Sequence, residues 1–88
     1  MPTISMFYGI IVRMYFAPGE HPPPHIHVYY GDSSATIDIT NGELLAGELP
    51  RKQLRLVSAW TELHREELLA DWALVMKGEP PFQIEPLR

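Results

Sequence analysis

His25 and His27 stand two apart in the run His21-Pro22-Pro23-Pro24-His25-Ile26-His27-Val28, and no other stretch of the chain concentrates as much chemistry. On a strand, residues i and i+2 point the same way, so the two imidazoles would sit about 7 Å apart on one face. Such a pair could give two nitrogen ligands to a divalent, zinc-like transition metal, with the third ligand unassigned. His21, Asp38 and His64 are the candidates for that place. If the prolines run as an extended polyproline stretch, His21 lies roughly 12 Å from His25 and drops out unless the segment turns.

The same pair could instead cleave RNA without a metal. One histidine would take the proton of a ribose 2′-hydroxyl, another group would protonate the leaving oxygen, and Arg13 would stabilise the phosphate. Tyr15 or Tyr29 could stack on a base, and Asp38 would belong to the same binding face. A third possibility is a non-enzymatic nucleic-acid-binding domain built on those tyrosines. The plain alternative is that the wet face of a sheet needs polar strand formers, and Tyr, Thr and His serve there with no other duty. The sequence carries no complete catalytic or metal-ligand signature, so it does not decide whether the protein is an enzyme.

These residues must be positioned by a small α+β domain. Tyr8–Phe16 is rich in β-branched and aromatic residues and precedes the turn former Ala17-Pro18-Gly19, which predicts a strand. His25–Tyr30, Ala35–Ile39 and Glu43–Gly47 predict three more, the last two joined through Thr40-Asn41-Gly42. The expectation is a four-stranded antiparallel meander. Alternation places Ile10, Val12, Met14 and Phe16, Ile26, Val28 and Tyr30, Ile37 and Ile39, and Leu44 and Ala46 on a helix-covered side. Ile11, Arg13 and Tyr15, with His25, His27, Tyr29, Thr36, Asp38 and Glu43, then share the other side.

From Pro50 the apolar period lengthens to 3.6, with Leu54, Val57 and Trp60 on one stripe and Leu68, Leu69, Trp72, Val75 and Met76 on another. One or two C-terminal helices packed on one face of the sheet follow, depending on a bend near His64. Trp60 and Trp72 read as core anchors, and Arg51, Lys52 and Arg55 as a solvated first turn. Gly78 with Pro80 and Pro81 stops the helical region. The domain is thus expected over residues 1–78, with an extended Pro-rich tail over 79–88 whose Phe82, Ile84 and Leu87 could pack on the body or on a partner.

Composition narrows the function classes. A chain of 88 residues supports a single core, and an apolar fraction of 45% with 20% charged residues argues against disorder. There is no cysteine, which excludes disulfides, thiolate metal sites and a catalytic thiol. The net charge of −4 opposes tight, non-specific binding to nucleic acid. The N-terminal stretch lacks the pattern of a signal peptide and no apolar run is long enough to span a bilayer, so a cytoplasmic protein without a membrane partner is expected.

The runs MPTISMFYGIIVRMYF, HPPPHIHV and ATIDITNGELLAGELPRKQLRLVSAW, followed by the pattern of His64, Leu68 and Trp72, resemble domain of unknown function family 4160. The resemblance covers nearly the whole chain and is most specific over His21–Val28, Gly42-Glu43 and Gly47–Pro50. Ile26 stands where many relatives are expected to carry phenylalanine, which keeps an apolar side chain there. The resemblance implies a small prokaryotic protein, often encoded beside another small domain of unknown function. It therefore implies a small protein partner from a neighbouring gene, with a toxin–antitoxin-like pair as the suggested setting. It supplies no established catalytic residue.

Overall fold

A computed structural model of the protein describes residues 2–88. It holds five antiparallel strands, β1 (Thr3–Phe7), β2 (Ile10–Arg13), β3 (His25–Tyr30), β4 (Ser33–Asp38) and β5 (Leu44–Glu48), followed by two helices, α1 (Arg51–Leu63) and α2 (Arg65–Met76). The strands pair in chain order, as a meander. No helix among the described residues is long and apolar enough to cross a membrane.

The expected four strands become five because the predicted strand Tyr8–Phe16 starts inside a turn. Tyr8 and Gly9 both have positive φ, 50° and 78°, and link β1 to β2 with Phe7 opposite Ile10. A two-residue turn of this kind matches the twist of a hairpin, but its first position usually holds asparagine, aspartate or glycine. A tyrosine there hides the turn within an apparent strand. The predicted Asn41-Gly42 turn is present. Gly42 has φ 74°, its N–H donates to the Asp38 carbonyl at 2.8 Å, and Asn41 Oδ1 accepts from the Glu43 N–H at 2.9 Å.

Ile10, Val12, Met14, Ile26, Val28, Ile37 and Ile39 are fully buried with Val57, Trp60, Leu68 and Val75 of the helices. Burying this many large apolar side chains is the main favourable term in so small a domain. Trp60 is the largest of them, and its ring lies 5.3 Å from that of Phe7. Four residues expected in the core are not there. Phe16 lies beyond β2 and is 37% exposed, and Leu69, next to Leu68 on the helix, cannot share its direction and is 38% exposed. Leu44 and Ala46 are exposed because β5 is the outer strand and carries a bulge. Ile37 pairs with Leu44 but Thr36 with Ala46, so Leu45 is the extra residue and Ala46 turns outward with Thr36. Gly47 lets β5 approach β4: a Cβ on it would stand 2.3 Å from the Ser34 carbonyl oxygen.

His64 divides the helical region in two. Its φ of −114° leaves the helical range, yet its N–H still donates to the Trp60 carbonyl and its own carbonyl accepts from Leu68. At the end of α2, Gly78 takes φ 79°, and the N–H groups of Gly78 and Glu79 bond back to the carbonyls of Val75 and Leu74. This pair of bonds is the glycine-based helix stop predicted from Gly78.

Residues 79–88 have no regular structure but lie against the body. The Ile84 N–H donates to the Ile4 carbonyl at 2.8 Å, Trp60 Nε1 donates to the Glu85 carbonyl at 2.8 Å, and Ile84 is buried. Ile84 and Leu87 therefore pack on the core, and of the three apolar tail residues only Phe82 faces solvent, 74% exposed. The Phe82 N–H reaches back to Asp71 Oδ1 at 2.9 Å.

Asp71 is buried, and its Oδ2 has no hydrogen-bond partner. Burial pushes its carboxyl above the ordinary range, the Phe82 N–H pulls it down, and the charge of Glu67 pushes it up further. A raised folded-state value means that the favourable, neutral form is fully present below the ordinary carboxylate range and is lost as pH rises through the folded value. The stability of the wild type relative to Asp71→Asn is therefore expected to fall as pH rises above the ordinary carboxylate range, measured as the difference in Tm by calorimetry. A pH-independent difference would contradict the buried carboxyl.

Candidate metal and histidine site

β2 ends at Arg13, and the chain returns to β3 through residues 14–24, which hold four prolines. The Ala17 N–H donates to the Val75 carbonyl at the end of α2, at 3.1 Å, and the Ile39 N–H donates to the Pro24 carbonyl at 2.9 Å. Between these two ties the segment does not run out as a polyproline stretch but folds back on β3, where the Glu20 carboxylate meets His25 and His27.

The return brings Glu20, not His21, to the two histidines. Glu20 Oε1 lies 3.2 Å from His25 Nε2 and 2.5 Å from His27 Nε2, and the three ligand atoms lie within 4.8 Å of one another. The imidazoles share a face as alternation predicts, with ring centroids 5.1 Å apart. His21 is exposed, Asp38 pairs with His25 across the strands but accepts from the Thr40 N–H at 2.7 Å, and His64 bonds Glu67 Oε1 at 2.6 Å. None of those three candidate third ligands belongs to the group that could hold a metal ion. Glu20 carried a usable signal: it closes the Ala17-Pro18-Gly19 turn, so a fold-back there returns a carboxylate toward the next strand.

Each histidine is held differently. His25 is nearly buried, its ring 5.0 Å from that of Trp72 on α2, and its Nδ1 lies 2.7 Å from the Pro23 carbonyl. A carbonyl only accepts, so Nδ1 carries the proton and Nε2 is left to face Glu20. Trp72 is thus both a core residue and a wall of the site. His27 is half-buried, with the ring of Tyr15 edge-on at 4.6 Å.

The remaining predicted face residues gather around His27. Arg13 is its cross-strand partner, its guanidinium stands 5.4 Å from the centre of the Tyr29 ring, and its Nε donates to Thr3 Oγ1 at 3.3 Å. The hydroxyls of Tyr15 and Tyr29 are hydrogen-bonded to each other. That bond is the main cause that pushes the Tyr29 hydroxyl above its ordinary value, with burial and Tyr15's charge adding and Arg13 opposing.

With its proton on Nδ1, His25 turns Nε2 toward a Glu20 oxygen that also faces His27 Nε2. A proton on His27 Nε2, or one cation among the three atoms, satisfies the contact. Three donors aimed at a common point, one orientated by a bond from its other nitrogen to a backbone carbonyl, can hold a metal ion or share protons.

The chain belongs to the family described as Domain of unknown function (DUF4160). The family model matches residues 9–73. The DUF4160 match takes in Glu20, His25, His27, Arg13 and Trp72, and leaves out β1 and the tail that packs beside it. Among curated proteins and among solved structures, nothing matches the chain.

Nitrogen-15 NMR of the metal-free protein at neutral pH is expected to find His25 protonated at Nδ1. A His25 with its only proton on Nε2 would contradict the Pro23 contact on which the site is built.

Proposed function

We propose that the protein is a metal-binding module that holds one zinc-like divalent ion through Glu20, His25 Nε2 and His27 Nε2. The convergence of these three donor groups within 4.8 Å carries the reading. The bond from His25 Nδ1 to the Pro23 carbonyl supports it, because metal-ligating histidines use their second nitrogen in this way. Two imidazoles and one carboxylate are the donor set of hydrolytic zinc and non-haem iron sites, which keep further coordination positions open for water or substrate.

The rival reading keeps the residues and removes the ion: His25 and His27 as acid and base of a ribonuclease, Arg13 as phosphate ligand, Tyr15 and Tyr29 as stacking platforms. The position of Arg13 across from His27 favours it. Either activity could operate within a toxin–antitoxin-like pair with a small protein partner, and the outer strand β5, with exposed Leu44 and Leu45, offers an edge for such a partner.

Equilibrium titration of tag-free protein is expected to show one equivalent of Zn²⁺ bound. His27→Ala or Glu20→Gln, shown to be folded by circular dichroism, is expected to weaken it roughly 100-fold or more, since even outer-shell changes cost about 10- to 100-fold. Unchanged affinity in both variants would remove the metal reading. RNA cleavage that persists in excess chelator and disappears in His25→Ala would decide for the metal-free ribonuclease.

A further inference from the structure

A second concavity lies away from the histidine cluster and is independent of the metal reading. It has a volume of about 480 Å³ and is lined by Tyr8 of the first turn, Tyr30 at the end of β3, Lys52 and Gln53 of α1, and the last residues of the tail. His25 and Tyr30 stand at opposite ends of β3, about 16 Å apart along the strand. Tyr30 also points to the other side of the sheet, with Ile26 and Val28.

Tyr8 is placed there by unusual backbone, and Tyr30 by the end of a regular strand. Tyr8 is 61% exposed and has φ 50°, a left-handed conformation that is rare for a bulky residue and that clusters at functional positions. Gly9 lies so close beneath Tyr30 that a Cβ would stand 3.3 Å from its Cε1. The first turn therefore presents one aromatic ring to solvent and passes its backbone against the other. Leu56 and Leu87 supply apolar wall, and both pack in part on the core.

The polar groups are cationic. Lys52 forms no ion pair among the described residues, and Arg88 is paired only with the exposed Glu85, at 2.8 Å. Two aromatic rings, an apolar wall and two cations in a space within the usual range of small-ligand pockets suit a flat ring that carries a phosphate. The net charge of −4 opposes a long polyanion, so the size that fits is a single nucleotide.

We propose that this pocket binds a nucleoside monophosphate, with its base against Tyr8 and Tyr30 and its phosphate at Lys52 and Arg88. Titration of the ¹⁵N-labelled full chain with adenosine monophosphate, followed by NMR, tests it. Saturable shifts are expected at Tyr8, Gly9, Tyr30 and the first turn of α1, with adenosine and inorganic phosphate each binding about tenfold more weakly. Tyr8→Asn removes the ring but tolerates the left-handed backbone, and should lower affinity about tenfold. Lys52→Glu should do the same. Four outcomes would overturn the proposal: no saturable shift, equal binding of phosphate alone, wild-type affinity in both folded variants, or a short single-stranded RNA binding more than tenfold tighter than the mononucleotide.

Discussion

Glu20 Oε1 faces the Nε2 atoms of both His25 and His27, at 3.2 and 2.5 Å, while the Pro23 carbonyl fixes which nitrogen His25 turns toward it. That arrangement brings one carboxylate oxygen and two imidazole nitrogens to a common point, where shared protons or one cation can sit between them. The architecture around it serves to keep the three groups in place. Residues 14–24 are tied at one end to the last turn of α2 and at the other to the segment after β4, so Glu20 is carried back over the start of β3. Trp72 closes the site against His25 from the helical layer, which joins the cluster to the core.

The two faces of the sheet divide the work. One buries Ile10, Val12, Ile26, Val28 and Ile37 beneath the helices and supplies the packing that a chain of this size requires. The other holds Arg13, His25, His27 and Tyr29 on adjacent strands, where cross-strand pairing sets their spacing. A strand offers rigid placement at fixed intervals, which suits donor groups that must converge. The pocket between Tyr8, Tyr30 and Lys52 sits apart from that face and draws on the first turn, the first helix and the tail.

Much of this could be read from residue types. Period-two alternation over His25–Tyr30 put Ile26 and Val28 in the core and the two imidazoles side by side, although His25 is buried against Trp72, and Gly78 with its following prolines marked the end of α2. Gly42 takes the positive φ that the Asn41-Gly42 signal implies, while Asn41 does not. What escaped were features in which a residue acts against its type. Tyr8 turns the chain although tyrosine favours strands, which concealed β1. Leu45 enters a bulge, which reversed the direction of Ala46. Pro22–Pro24 fold back where a run of prolines is expected to extend, which hid Glu20 as the third member of the cluster and made His21 a candidate in its place. Such outcomes are set by contacts distant in sequence, as between Ala17 and Val75, and no local pattern reports them.

X-ray absorption spectroscopy at the zinc edge of the zinc-loaded protein reads the donor atoms around the ion themselves. A site formed by Glu20, His25 and His27 gives two imidazole nitrogens at about 2.0–2.1 Å and a carboxylate oxygen at about 2.0–2.2 Å, with one imidazole lost in His27→Ala. A spectrum without imidazole scattering, or one unchanged in that variant, would place the ion elsewhere and contradict that site.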